Sequence, residues 1–179
     1  MKNKAKPWFT IDIAQIRHCF VCGGALAKRS VPLDTRKRLV CTACGHITYL
    51  NPKSVAGLIP VMPDGRIVLL QREVEPARGK WSYPAGYQEL GETVRKAAAR
   101  ETMEEICVRP KLDRLLNIYS YPDSGVITTV FVGRVPRHQQ PKPGIESQSV
   151  KIFEPAKIPW DKLAFQSTTD ALRDYEATL

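Results

Sequence analysis

Five glutamates, Glu89, Glu92, Glu101, Glu104 and Glu105, fall in the stretch from Gly86 to Glu105, with Arg100 among them. Thr93 to Ile106 is rich in Ala, Arg, Glu and Met and holds no Gly or Pro, the composition of a helix. Residues three and four apart share a helix face, so Val94, Ala98, Glu101 and Glu105 form one stripe that begins apolar and ends in two carboxylates. Two like charges on an inward-facing stripe are costly unless a cation neutralises them. Hard divalent ions such as Mg2+ or Mn2+ match oxygen ligands and would do so. Glu104 is four residues from Arg100, a spacing that suits a metal-directed carboxylate and a solvated, weakly paired face equally well.

A second constellation precedes it. Cys19 and Cys22, then Cys41 and Cys44, make two CxxC pairs separated by 18 residues. Each pair lets two sulfurs reach one ion from a tight turn, and Gly23 and Gly45 relax that turn. Four thiolates close a tetrahedral Zn2+ shell with no open position, so the site reads as structural. Structural disulfides are the alternative, but they are rare inside cells and the paired spacing does not need them. His18 and His46, beside ligand cysteines, read as bystanders. Cys107, outside the module, reads as a small buried hydrophobe.

These residues need a scaffold, and the rest of the chain supplies its outline. Residues 1–17 read as a tail with one apolar-alternating piece, Trp8 to Ile13. Residues 18–50 form the cysteine module, and Asn51-Pro52 punctuates a boundary to a larger domain over 51–179. Val55 to Met62 and Ile67 to Leu70 flank Pro63-Asp64-Gly65, the pattern of a β-hairpin. Trp81 to Gly86 reads as extended because of Pro84. Leu115 to Tyr121 and Val126 to Val132 are β-rich around a turn at Pro122 to Gly125. A proline-bearing loop over 136–149 leads to a strand from Val150 to Phe153. Ser167 to Asp170 resembles a capping box opening a final helix that runs to about Ala177. Strands on both sides of a helix point to an α/β or α+β sandwich.

Composition bounds the functional classes. The chain has 179 residues, 43% of them apolar and 25% charged, which allows one packed domain with a small appendage. No run approaches the roughly 18 apolar residues needed to cross a bilayer. The basic start is not followed by an apolar stretch of about 7–15 residues, which disfavours a signal peptide. A soluble cytoplasmic protein with no membrane partner is the expectation. The formal net charge of +9 invites a nucleic-acid reading. Apart from Lys2, Lys4 and Lys6 and the run Arg36 to Arg38, however, the basic residues are scattered. A diffuse positive field suits any polyanion, including a small phosphorylated metabolite.

The acidic segment resembles the signature of the Nudix hydrolases: Gly86, Glu92, Arg100, Glu101, Glu104 and Glu105 stand at every fixed charged or glycine position but one. Two positions depart, with Thr102 in place of an aliphatic residue and Cys107 in place of the glycine that ends the helix. The resemblance extends over about residues 18–175, through Asn51 to Lys53, Trp81 to Gly86 and Ile158 to Phe165, and the whole looks like a zinc-ribbon branch that includes FAD and ADP-ribose pyrophosphatases. The motif that marks the neighbouring NADH pyrophosphatases is missing, since Gln166-Ser167 is not followed by Pro-Trp-Pro.

The resemblance implies an α/β/α sandwich with a mixed sheet behind a small zinc ribbon. It also implies divalent-metal-dependent hydrolysis of the pyrophosphate bond in a nucleoside diphosphate linked to another moiety, ADP-ribose or FAD, releasing AMP. Glu101 and Glu105 become the principal Mg2+ or Mn2+ ligands, with the Ala85 carbonyl beside them and Glu104 as a further ligand or water-positioning group. Arg100 holds a neighbouring glutamate, Glu92 is structural, and Glu146 in the loop beyond the box is the candidate general base. Trp81, Tyr83, Tyr87, Tyr119 and Phe153 are candidates for stacking on the base. Homodimers are common among the related pyrophosphatases, so a homodimer is the partner expected besides the nucleotide. The competing readings are a nucleic-acid-binding zinc-ribbon protein and an enzyme directed at RNA caps or NAD(H).

Overall fold

The computed structural model describes residues 15–122 and 124–179. The Trp8 to Ile13 piece and Lys2, Lys4 and Lys6 lie outside the described residues. The chain divides into two units between Pro52 and Lys53.

In the first unit, β1 (Leu26–Arg29), β2 (Arg38–Cys41) and β3 (Ile47–Thr48) form an antiparallel sheet in that order. Its buried side chains are Cys19, Cys41 and Thr48. A core that small cannot hold the unit together by apolar burial.

The second unit is built on β4 (Lys53–Val61), β5 (Ile67–Arg72), β6 (Trp81–Ser82), β7 (Ala85–Tyr87), β8 (Lys111–Ser120), β9 (Val126–Arg134) and β10 (Ser147–Phe153). The main sheet order is β10-β5-β4-β9-β8. β4 and β9 run parallel over their whole length while the other pairs are antiparallel, so the sheet is mixed. The Met62–Arg66 turn closes with Met62 N–H on the Arg66 carbonyl at 2.7 Å. The hairpin expected around it is paired only at Val61 and Ile67. Beyond that pair β4 turns to β7 and β5 to β6, so the two strands splay and the segment Trp81 to Tyr87 fills the gap.

Strand alternation gives the central strands two apolar faces, as a sheet covered on both sides requires. Ala56 and Leu58 of β4 and Phe131 of β9 pack with Ala97 and Ala98 of α1 (Val94–Ile106). Val68 and Leu70 of β5 join Ile106 on the same side. Ile59, Ile67, Leu69, Val130 and Val132 point the other way, onto Ala171, Leu172 and Tyr175 of α2 (Gln166–Glu176). The result is the expected α/β/α sandwich.

The Thr93 side chain caps α1 by accepting from the Lys96 N–H at 3.3 Å. At the other end Cys107 takes the left-handed conformation, φ 56° and ψ 34°, that glycine adopts without steric cost. Its thiol is half-buried near the Pro143 carbonyl rather than enclosed in the core. Cys107→Gly is therefore expected to stabilise the protein by about 1 kcal/mol, readable as a shift in the urea midpoint. The final helix departs from expectation at its start. Phe165, not Ser167, occupies the N-cap, with no side-chain cap. Thr168 is instead buried against Ser82, with hydroxyls 3.3 Å apart.

Candidate functional site

Glu105 sits on the inward face of α1 and is 4% exposed. Its Oε2 accepts the Ala85 N–H at 2.9 Å, which ties the helix to β7. Ala85 thus meets the site through its N–H. Burial pushes the Glu105 carboxyl up to about 8, helped by the nearby Glu101 and Glu146 and opposed by the Ala85 N–H and Arg72. Glu101, one turn earlier, is also raised by burial, although Arg100 pulls it down. Its carboxylate lies against Gly86, where a Cβ would collide with it. This close approach is a physical reason for glycine at that position.

Arg100 organises the remaining acids. Its Nη2 donates to Glu92 Oε1 at 2.8 Å and to the Tyr87 carbonyl at 2.9 Å. Its Nη1 donates to Glu101 Oε1 at 2.7 Å and Glu104 Oε2 at 2.9 Å. Glu92 also accepts the Glu89 N–H at 2.8 Å, and its carboxyl is held below the usual range by Arg100. One guanidinium therefore braces the loop before the helix and two acids on it. Glu104 is the outermost of these acids, its side chain 57% exposed against 13% for Glu101.

The loop before β10 closes the far end of the site. The last turn of a helix leaves carbonyls without helical partners. Here Gly144 N–H donates to the Glu105 carbonyl at 3.0 Å, Ser147 Oγ to the same oxygen at 2.7 Å, and Lys142 N–H to the Ile106 carbonyl at 3.1 Å. This seat brings Glu146 into electrostatic range of both Glu101 and Glu105 while leaving it exposed. Gly144 is indispensable to it, because a Cβ would run into the Glu104 carbonyl. Gly144→Ala should cost about 1–3 kcal/mol, the scale of overpacking, and lower activity by shifting the Glu146 loop. Thermal melts and steady-state rates on the same sample would check both effects. Sequence reasoning missed Gly144 and Ser147, since close approach and buried capping arise only in the folded chain.

The aromatic candidates divide by burial. Trp81, Tyr83 and Tyr119 are 7%, 2% and 7% exposed and belong to the core under α2. Tyr83 OH donates to the Ser167 carbonyl at 3.4 Å and Tyr119 OH to Asp174 at 2.7 Å, so their hydroxyls serve to anchor that helix. Little of the ring surface of the three is exposed. Phe153, half-buried and edge-on to Trp81 at 5.3 Å, and Tyr87, with the Lys53 ammonium 5.0 Å from its ring, are the candidates with accessible surface.

In the first unit the four cysteine sulfurs lie within 4.8 Å of one another. Cys19 and Cys44 sulfurs are 3.9 Å apart and those of Cys22 and Cys41 are 3.5 Å apart. A tetrahedral ion with Zn–S bonds of about 2.3 Å sets sulfurs about 3.8 Å apart, so this donor set fits zinc. The Cys44 N–H, pointing at Cys41 Sγ, leads the effects that bring the Cys41 thiol down to about 6. Gly23 and Gly45 have φ of +74° and +73°, as the two turns need. Gly24 is the unforeseen member, since a Cβ there would press on the sulfurs of Cys41 and Cys22. His46 packs edge-on to Phe20 at 4.8 Å, and His18 is exposed in a bridge with Ala25. Among the described residues these cysteines are the one group of three or more converging ligands.

A profile of the NUDIX domain matches residues 51–174, and a Nudix N-terminal zinc-ribbon profile matches residues 17–50. The chain is 36% identical to an ADP-ribose pyrophosphatase of Methanocaldococcus jannaschii over 71% of its own length and 75% of that protein's. It is 32% identical to the NAD-capped RNA hydrolase NudC of Chromobacterium violaceum, but spans only 45% of that protein. A crystal structure of a NUDIX hydrolase from Nitrosomonas europaea aligns with TM-score 0.84 at 36% identity, covering 90% of this chain and 91% of that one. Among the described residues no helix is long and apolar enough to cross a membrane. The acidic helix, the sandwich that carries it and the two consecutive profiles converge on one assignment: the chain belongs to the Nudix hydrolase family, in the form that carries an N-terminal zinc ribbon.

Proposed function

We infer that the protein hydrolyses the pyrophosphate bond of a nucleoside diphosphate linked to another moiety, ADP-ribose or FAD, and releases AMP. The observation that carries this reading is Glu105, buried beside Glu101 with only partial compensation from neighbouring positive groups. Buried acids of this kind are held at cost unless a cation joins them. Glu101 and Glu105 would hold Mg2+ or Mn2+, with Glu104 at the outer edge and the Ala85 backbone adjoining. Such an ion would acidify a bound water and neutralise phosphoryl charge.

The chain's own groups do the rest. Arg100 fixes the Glu101 carboxylate and keeps the Glu92 loop against the helix. The exposed Glu146 carboxylate accepts the proton of the attacking water. Phe153 and Tyr87 are the rings offered to the base. In the ribbon, Cys19, Cys22, Cys41 and Cys44 hold a structural Zn2+, with no position left for substrate.

The relation to the pyrophosphatase from M. jannaschii, three-quarters of which this chain spans, supports ADP-ribose as the lead substrate. A panel of ADP-ribose, FAD, NADH, NAD, diadenosine polyphosphates and NAD-capped RNA, assayed with Mg2+ and with Mn2+, tests the reading. The expected result is the highest kcat/KM on ADP-ribose or FAD with AMP as product. A clear preference for the capped RNA would overturn the choice of small substrate and bring forward the likeness to the RNA hydrolase.

A further inference from the structure

The ribbon sheet has two faces, and only one is devoted to the sulfurs. Register sets Leu26 against Cys41, and Lys28 against Leu39 against Thr48, so that face carries the buried residues. The opposite face carries two rows. Ala27, Val40 and Ile47 form one, half-buried across the three strands. Arg29 and Arg38 stand directly opposite each other in the next, and alternation places Tyr49, one residue past β3, in line with them. The Arg38 guanidinium lies 5.1 Å from the centre of the Tyr49 ring, which is 54% exposed.

Two features of this row call for an anion. The sole carboxylate between residues 15 and 52 is Asp34, and both its oxygens are taken up by Arg38, at 2.6 and 3.3 Å. That grip orients the Arg38 plane and leaves Arg29, Arg36 and Lys37 exposed and without an ion pair among the described residues. A four-thiolate zinc centre carries two net negative charges, which do not cancel the six of Arg17, Lys28, Arg29, Arg36, Lys37 and Arg38.

An exposed ring locked beside arginine, next to a low apolar row on an open sheet, is the chemistry that receives a nucleobase while cations track its phosphates. We propose that this face of the zinc ribbon binds single-stranded nucleic acid. A base stacks on Tyr49 against the Ala27, Val40 and Ile47 row, and the phosphates lie along Arg29, Arg36 and Lys37. An acidic peptide would use the charges but leave the ring idle, which is why a strand with bases is the better match.

Fluorescence anisotropy of the zinc-loaded full chain with labelled oligouridylate of about ten nucleotides tests this, with oligothymidylate, duplex RNA and polyglutamate as further arms. Binding is expected to both single strands, with log K falling against log salt at a slope of about −2, as three phosphate contacts to a single strand predict. Tyr49→Ala should weaken binding by about 5- to 150-fold at fixed salt with the slope kept, and Tyr49→Phe should retain it. The pair Arg29→Gln and Lys37→Gln should flatten the slope. Zinc content and hydrolysis of ADP-ribose should be unchanged in every variant, which separates this proposal from that of the active site. If Tyr49→Ala releases zinc, the arginine and lysine variants decide alone. Absence of oligonucleotide binding at low salt, equal binding of polyglutamate, or indifference to these substitutions would overturn the proposal.

Discussion

Glu105→Gln should leave the protein folded and lower metal-dependent hydrolysis by roughly a hundredfold to a thousandfold, the scale of losing several kcal/mol of transition-state charge stabilisation. The amide keeps the size of the acid, and its Oε1 can still accept the Ala85 N–H that Glu105 takes at 2.9 Å. What it loses is the negative charge. The same variant has a signature in stability. In metal-free protein the Glu105 carboxyl is raised from an ordinary value of 4.5 to about 8, chiefly by burial. Between those values the native state holds a proton that the unfolded chain has released. The associated stability is complete below about pH 4.5 and falls as the pH climbs to about 8, by a few kcal/mol in all. Glu105→Gln should abolish that decline and be the more stable protein at pH 8 when chelated. Mg2+ affinity of the wild type should rise over the same window, since the ion must displace the proton. Urea melts with EDTA at several pH values, together with kcat at saturating Mg2+, measure both effects. Wild-type turnover in the variant would remove Glu105 from the mechanism.

The acidic helix could be read from the chain because its information is local. The spacing of Val94, Ala98, Glu101 and Glu105 fixes their common face, and Thr93 caps the helix with its own hydroxyl. The cysteine pairs are local in the same sense, each drawn together by one tight turn. Strands with a polar surface were harder. β8 begins at Lys111 rather than Leu115, because as an edge strand with one face to solvent its first residues, Lys111 to Arg114, carry no β-rich pattern. β10 begins at Ser147 for a different reason, since Ser147 is held by the Glu105 carbonyl and by its pairing with Arg72. The parallel match of β4 and β9 joins segments about seventy residues apart, and no short-range signal encodes it.

The misread positions share one cause, which is tertiary contact overriding a local pattern. The Ser167 to Asp170 signature is diverted into the core by Thr168, and its Asp170 carboxylate is engaged by Tyr121 and Gln166. Trp81 and Tyr83 have the residue types of a stacking site but fill the space where β4 and β5 separate. Gly24, Gly57 and Gly144 admit a neighbour that a Cβ would exclude, and the identity of that neighbour is decided by the fold. Conversely, the glycine that the helix end prefers is replaced by Cys107 without loss of the turn, since the Lys142 and Gly144 N–H groups and the Ser147 hydroxyl secure the last carbonyls.

Removing zinc should unfold the ribbon. A domain of this length folds alone only with a substantial core, and below about 40 residues a metal or disulfides usually substitute for one. Among residues 15–52 the buried side chains are two cysteines and Thr48, and the strands are four, four and two residues long. Apolar burial of that extent cannot offset the conformational entropy of ordering the segment, at about 1–2 kcal/mol per residue. Structural zinc in small domains contributes an apparent 10–16 kcal/mol or so, enough to close the gap. The purified protein should therefore carry about one zinc per chain by elemental analysis. Stripping it, or substituting Cys41→Ser, should erase hydrogen-exchange protection at the amides of β1 and β2, while Cys107→Ser leaves both zinc and protection intact. Protection that persisted without metal would mean that contacts other than the four sulfurs hold this sheet together, and the cysteine cluster would then lose its structural role.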